Sequence, residues 1–501
     1  MCKKEKYFRF RLCLLLLAAI LFGLNSLMIP QASGQKRFDG IEITVFTQPP
    51  PFIAKPVQMF RADWEKKTGA KVKLITAPWA ELYPKMISSF TMGAKKYDII
   101  IFPAAWLADF AGNNFLVPLD DFIAKDKELA WNDILPVYRE RICSYAGEIW
   151  AVPMDGDNHI FYYRKDALDN LEYQKKFKDK YGYALAPPKT WKQHREIAEF
   201  FNGWDWDGDG RLEYGVVEAM RKDDQAYWTF FSRAAAYVSI PGQPGGLFFD
   251  PNTMEPLINS PGHVKALEDW IKVKQFGVPG VVNMDSGEIR NVFTIGDASM
   301  AIDWGDIGVM ADTSPESTIK GQCGYTIMPG TTRVWDYKKQ TWAEFPNGNQ
   351  APYLAFGGWL AAIDAKSDHI EAAYDFISFL GKPENSYISV TTPETGFNPC
   401  RKMHFDRLAG WFGYGFVNPK DYLGAIEATI AHDNVQPDLR IPGTARYFEA
   451  LDPQLAMALA GNKTAKEALD AVAKEWKRIT EDIGKDAQLK AYRASLGLLI
   501  K

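Results

Sequence analysis

Between residues 41 and 102 strand-like and helix-like stretches alternate at a spacing that leaves few folds open. Ile41-Glu42-Ile43-Thr44-Val45-Phe46 reads as a strand, Pro49-Pro50-Pro51 turns the chain, and Phe60 and Trp64 mark the apolar side of a helix that runs to Lys67 and stops at Thr68-Gly69. Val72–Thr76 reads as a second strand, Glu81–Phe90 as a second helix, and Asp98-Ile99-Ile100-Ile101-Phe102 as a third strand, apolar without a break. Strands separated by helices pair in parallel and are covered on both faces, so this stretch predicts an α/β fold. In such sheets a ligand settles at the carboxyl ends of the strands. The loops there hold Gln48 with Phe52, Trp79 with Tyr83, and Pro103 with Trp106.

The chain's 501 residues are too many for one compact core and call for two domains. Its first eleven residues carry Lys3, Lys4, Lys6, Arg9 and Arg11, and run into the apolar stretch Leu12–Leu24, with Ala32-Ser33-Gly34 beyond. That is the layout of an export signal cleaved near Gly34, residues 1–34 being removed and the mature chain entering the periplasm. Cys13 stands at the start of the apolar stretch, where a lipid anchor would need it at the end. The net charge is −4 and residues 1–34 carry a surplus of four positive charges, which leaves −8 for the remainder. An acidic surface argues against nucleic acid as a partner. Cys143, Cys323 and Cys400 remain after cleavage, enough for one disulfide or for three buried thiols behaving as small apolar residues.

After Tyr162 the alternation blurs, with a helix at Trp191–Phe201, a Gly/Pro-rich stretch at Ile240–Pro256, and strongly helical sequence from Tyr447 to Ile483. Several blocks taken in order resemble the family of extracellular solute-binding proteins that includes maltose-binding protein. They are Asp98–Phe102 with Trp106 and Val117-Pro118-Leu119-Asp120-Asp121-Phe122, then Gly147–Pro153 with Asp157 and Phe161–Asp166, then Pro188-Lys189-Thr190-Trp191. Phe293–Asp297 with Ser299–Trp304, Gly357-Gly358-Trp359, and Gly461–Leu469 complete the order. The resemblance implies a two-lobed periplasmic-binding-protein fold of type II, its α/β lobes joined by hinge strands. It implies an N-terminal lobe of residues 35–156 plus about 357–435 and a C-terminal lobe of 157–356 plus about 436–501. It also implies a binding component of an ABC importer, monomeric, that closes on a ligand and hands it to permease subunits without transforming it. The chain is longer than the usual member, and the extra length is expected in the Asp205 turn, the Gly/Pro stretch and residues 404–436.

A sugar or polyol offers C–H faces and a rim of hydroxyls, so its site needs flat rings to stack on and carboxylates or amides to bond. The 16 Trp and the aromatic share of 14% suit a ring-lined cleft, and a large core equally well. By position in the resemblance the stacking candidates are Trp304, Trp359 and Tyr447, with Asp157, Asp303, Asp306, Arg446 and Glu449 for polar contacts. Gln48, Trp79 and Trp106 join them from the first lobe. Gly358 precedes Trp359 where a missing side chain lets a ligand approach the backbone. The acidic balance favours a neutral ligand, which Arg446 or Arg401 could reverse by pairing an anion.

Asp205-Trp206-Asp207-Gly208-Asp209-Gly210-Arg211-Leu212-Glu213 carries carboxylates at alternate positions and Gly at the sixth, the pattern of a calcium loop. Val216 stands where the twelfth-position acid belongs, so Glu213 or Glu218 would complete a shell with Asp205, Asp207, Asp209 and Arg211. The cation would be a structural Ca2+. No phosphate loop, His-Glu-x-x-His or nucleophile elbow is present. The competing readings are a secreted glycan-active enzyme using Asp303 and Asp306 as its carboxylate pair, and a binding protein that reports to a membrane sensor.

Overall fold

A computed structural model of the chain describes residues 36–498 apart from 51 and 394. The expected export signal and its cleavage point near Gly34 lie outside the described residues. In chain order the elements that frame the molecule are β1 (Glu42–Thr47), α1 (Lys55–Thr68), β2 (Lys71–Thr76), α2 (Trp79–Met92) and β3 (Ile99–Pro103). Next come β4 (Val152–Pro153), β5 (Ile160–Arg164), α3 (Ala226–Val238), α4 (Ser286–Thr294), β6 (Met300–Asp303) and α5 (Asp306–Thr313). They are followed by β7 (Cys323–Thr326), β8 (Tyr353–Leu354), β9 (Trp359–Ile363), α6 (Pro419–Ile430), β10 (Gln436–Pro437), α7 (Thr444–Leu459) and α8 (Ala465–Ile483).

The first sheet has the order β2-β1-β3-β9-β4. β1 pairs in parallel with both β2 and β3, as the alternation of the sequence requires. α1 begins with Pro56 in its first turn, buries Val57, Phe60 and Trp64 at helical spacing, and ends where Gly69 takes φ 84° and donates its N–H to Glu65 O. β3 is flanked by β1 and β9 and buried on both faces, which is why Ile99-Ile100-Ile101-Phe102 has no polar alternation. The sheet as a whole is mixed. β9 returns from the second lobe and runs antiparallel to β3 and β4, a pairing that local periodicity does not encode.

The second sheet has the order β6-β5-β7, antiparallel throughout, and Tyr214 and Val217 extend it by parallel bridges to Ala298 and Ala301. Residues 154–159 cross from β4 to β5. Residues 355–358 cross back from β8 to β9, beside β10, which pairs in parallel with β8. α6 packs on the second sheet, the ring of Tyr422 lying 5.5 Å from that of Tyr325 in β7. Just ahead of α6, Trp411 bridges Tyr387 and Tyr422 at 6.1 Å and 5.7 Å.

Cys143, Cys323 and Cys400 are all free and buried. Among the described residues no helix is long and apolar enough to cross a membrane.

The return crossing is sterically tight. Phe356, Gly357 and Gly358 have φ of 71°, 76° and 97°, three successive left-handed residues. A Cβ on Gly358 would lie 2.2 Å from Asp155 O in the other crossing. Gly358→Ala is therefore expected to cost about 2 kcal/mol or more and to lower the thermal midpoint clearly; an unchanged midpoint would show that the crossings are free to separate.

Candidate functional site

The crossings and the carboxyl ends of β1 and β2 meet around a cavity enclosing about 610 Å³ of space, part of it continuous with solvent. Gln48, Phe52 and Ile53 reach it from the loop after β1, and Trp79 from the start of α2. The second lobe supplies Asp224, Gln225 and Trp228 at α3, Ser286 and Arg290 of α4, and Trp304 and Asp306 after β6. Asp157, Phe356 and Trp359 come from the crossings, and Gly396 closes one side.

The aromatic members form one continuous cage. Trp79 lies 6.0 Å from Trp228, 6.0 Å from Phe356 and 6.1 Å from Trp359, and Trp304 lies 5.7 Å from both Trp228 and Phe356. Trp304 is fixed at two points, its Nε1–H donating to Ala355 O at 2.9 Å and its carbonyl accepting from the Tyr162 hydroxyl. Gly305 follows it because Asn398 leaves no room. A Cβ there would stand 1.9 Å from Asn398 Oδ1 and 2.3 Å from the Tyr422 hydroxyl.

The polar floor is built on Arg290. Its Nε donates to Asp303 Oδ2 at 2.7 Å, Nη2 reaches Asp303 Oδ1 at 3.3 Å, and Nη1 lies 3.0 Å from Asp306 Oδ1. Burial still outweighs the guanidinium at Asp303 and pushes its carboxyl up to about 7. Beside them Asn398 bonds Asp157 Oδ1 through Nδ2 at 2.6 Å and Asp155 Oδ1 through its backbone N–H at 2.6 Å. Burial raises Asp155 to about 7, and burial together with the adjacent Asp155 charge raises Asp157 well above the usual range. Asp155 Oδ2 is buried without a hydrogen-bond partner. Asp224 accepts from the Ser286 N–H at 2.7 Å, at the amino end of α4, and burial lifts it to about 6.

Of the residues singled out in the sequence, Gln48, Trp79, Asp157, Trp304, Asp306 and Trp359 line this cavity. Asp303 stands behind it holding Arg290, and Gly358 packs its backbone on Asp155. Trp106 and Glu449 line a neighbouring space of about 1130 Å³, which shares Trp79 and Trp228 with the first. Tyr447 does not face either space, a correction to its stacking role. The cleft side of α7 is the stripe Ala445, Phe448, Glu449, Asp452, and Tyr447 points the other way, its hydroxyl 2.9 Å from Thr480 in α8. Arg446 turns outward to Asp482 at 2.9 Å, and Arg401 is buried against Gly381 O and Asp133, so neither offers a cation to the cavity. Asp303 and Asp306 both face Arg290, not each other across the cavity, so they are not the opposed acid and base of glycoside hydrolysis.

Trp228, Arg290, Asp224 and Phe356 were not foreseen. Trp228 had a signal: Ala226–Val238 is apolar on nearly every side, with Arg233 its one charged residue, the mark of a helix buried all round. Arg290 had none, since its helix reads as an ordinary surface segment.

The acidic loop lies apart from the cavity. Carboxylate oxygens of Asp205, Asp207, Asp209 and Glu213 lie within 4.8 Å of one another, the first three residues exposed and Glu213 buried with Oε1 unpartnered. This cluster can hold a metal ion. Gly208 and Gly210 turn the loop at φ 84° and 88°. Arg211 directs its side chain to Asp209 at 2.6 Å and Asp297 at 3.0 Å, leaving only its carbonyl for a cation. Glu218 does not complete the shell, contrary to expectation. It is fully buried in the lobe core, bonded by both oxygens to Arg233 and by Oε2 to Trp270 Nε1 at 2.7 Å, and Arg233 with His194 holds its carboxyl down at about 2 despite burial.

Residues 51–387 match the family model described as "Bacterial extracellular solute-binding protein". This chain belongs to that family. It is a solute-binding protein, not an enzyme. A Deinococcus radiodurans protein named "Probable ABC transporter-binding protein" is 24% identical over 345 residues, 67% of this chain and 70% of that one. A mannitol-binding protein of Pseudomonas aeruginosa is 23% identical over 235 residues, 47% of this chain and 48% of that one. The crystal structure of an ABC transporter solute-binding protein from Agrobacterium radiobacter K84, in complex with ribitol, superposes with a TM-score of 0.70 at 24% identity, covering 89% of this chain and 100% of that one. The two-lobed periplasmic-binding-protein fold is thus shared across nearly the whole described chain.

The carboxyls give a pH dependence of fixed sign. Asp155 and Asp303 stand near 7 when folded, above the ~4 of an unfolded Asp, so the folded solute-binding protein holds extra protons in between. Its ligand-free stability is full below the unfolded value and falls as pH rises through 7. Asp157→Asn removes another buried carboxyl that burial keeps protonated and is expected to flatten that decline, measured as melting temperature from pH 5 to 8. A slope as steep as the parent's would show that Asp157 is not held protonated in the folded state.

Proposed function

We propose that this protein captures a neutral sugar, oligosaccharide or polyol between its lobes in the periplasm and, as a monomer, delivers it to the permease of an ABC importer. The carrying observation is the cavity itself: Trp79, Trp228, Trp304, Phe356 and Trp359 surround a floor of Gln48, Asp157, Asp224, Arg290 and Asp306. Rings suit the C–H faces of such a ligand, and fixed carboxylates and a guanidinium suit its hydroxyls. Relatives named for mannitol and crystallised with ribitol support the same class. The proposed lobes are residues 35–156 with β9 and the chain after it up to α6, and 157–356 with α6 and about 436–501. Closure about the crossings encloses the ligand.

Ribitol, D-mannitol and maltose would be tested by thermal shift, with the recovered sugar analysed for breakdown. At least one is expected to raise the melting temperature and return intact; released fragments would overturn the reading. Trp304→Ala and Trp359→Ala are each expected to weaken binding by about ten-fold or more, a loss of ~1.4 kcal/mol, while unfolding remains cooperative. Full affinity in both would place the ligand elsewhere.

We further propose Ca2+ as the cation of the acidic loop. Calcium–oxygen distances of about 2.3–2.6 Å set opposite ligands some 5 Å apart, which the 4.8 Å spread matches. Its role is structural. Asp207 lies 3.7 Å from Arg164 of β5, and Arg164 Nη1 donates to Gly296 O at 2.9 Å in the turn before β6. Chelation is expected to lower the melting temperature and added Ca2+ to restore it; no change on chelation would leave the loop as a turn only.

A further inference from the structure

Asp438 lines neither cavity, yet two of the caging residues depend on it. It is buried just after β10, where the return crossing passes. Its Oδ2 accepts the Trp228 Nε1–H at 2.9 Å and the Phe356 N–H at 3.1 Å. Its Oδ1 accepts the Leu439 N–H at 2.7 Å and the Tyr353 hydroxyl. One carboxylate thus gathers donors from α3 of the second lobe, from β8, and from the crossing itself.

We propose that Asp438 is a positioning residue that locks the lobe crossing to the ligand cage. Phe356 has φ 71°, a left-handed conformation that a bulky side chain takes only when its surroundings impose it. The bond from its N–H to Asp438 is such an imposition. The same oxygen fixes the indole of Trp228, so the two rings meet 4.9 Å apart at an interplanar angle of 73°. A movement of the crossing that shifts Phe356 must also break or drag the bond to Trp228, and a ligand held against Trp228 in turn resists movement of the crossing. The inference takes the cavity as the ligand site, as proposed above, but its hinge component stands on the protein alone.

All four partners donate, so a carboxylate is required. In Asp438→Asn, whichever way the amide is turned, its NH2 faces at least one N–H. Trp228→Phe removes the indole donor and keeps a ring. In the chain from residue 35 onward, spin labels at Lys66→Cys in α1 and Lys178→Cys in the exposed helix Leu171–Tyr181 would report the distance between lobes without any ligand, Cys143, Cys323 and Cys400 being buried. Both Asp438→Asn and Trp228→Phe are expected to widen the distance distribution, and the double variant to widen it no further than Asp438→Asn alone. Affinity for whichever of ribitol, D-mannitol and maltose binds the parent should fall roughly ten-fold in each, the scale of one bond to a charged group.

A lowered melting temperature with an unchanged distance distribution would make Asp438 a purely structural residue and overturn the proposal, as would additive effects in the double variant. Should Asp438→Asn fail to fold, an unchanged distance and affinity in Trp228→Phe overturns it equally. If the parent binds none of the three probes, the sugar or polyol reading falls, while the distance measurement still decides the role of Asp438.

Discussion

Arg290 lies at the bottom of the cavity between Asp303 and Asp306, with Asp155 and Asp157 just beyond, so a single guanidinium faces a group of buried carboxyls. Like charges at this range cannot all ionise away from water, and the floor meets the conflict by keeping carboxyls protonated and by inserting Asn398 as a neutral donor. The rest of the site follows from that arrangement. Asn398 needs the space above Gly305, Gly305 lets Trp304 and Asp306 leave the end of β6 in different directions, and Trp304 then meets Trp228 and Phe356. The crossing at Asp155–Asp157 is fixed by the same network, against which Gly358 of the return crossing packs without a side chain.

The first lobe was legible in the sequence because its order is local. β1, β2 and β3 are separated by helices, their apolar periods are clear, and Gly69 stops α1 where the pattern breaks. β9 was not legible as an antiparallel partner, nor the packing of α6 on the second sheet, because both depend on contacts made between residues far apart in the chain. The site divided along the same line. Tryptophans beside glycine or acidic residues, Trp304 and Trp359, could be read from their neighbours. Arg290 could not, since what distinguishes it is its position opposite β6 and not its local pattern. Tyr447 misled because adjacent positions on a helix differ by about 100° in direction, and the stripe facing the cleft passes through Phe448 and Glu449 instead.

The acidic loop and the cage lie at opposite ends of one set of strands. Arg164 leaves the far end of β5, whose first residue, Ile160, pairs with Asp303. The turn Gly296-Asp297, bonded by Arg164 and Arg211, leads directly into the strand that ends at Trp304. The loop and the cage are thus joined by one short strand, with no helix or long loop between.

Burial has also settled the chemistry of the three thiols. It pushes Cys400 up to about 12 and raises Cys143 and Cys323 as well, so almost none of the thiolate that reacts with disulfides or oxidants exists in the folded state. Cys143 and Cys400 lie in the first lobe and Cys323 in β7 of the second. Each lobe thus carries its own silent reporter, and the rate at which a thiol reagent finds it is a direct clock of how often that lobe opens.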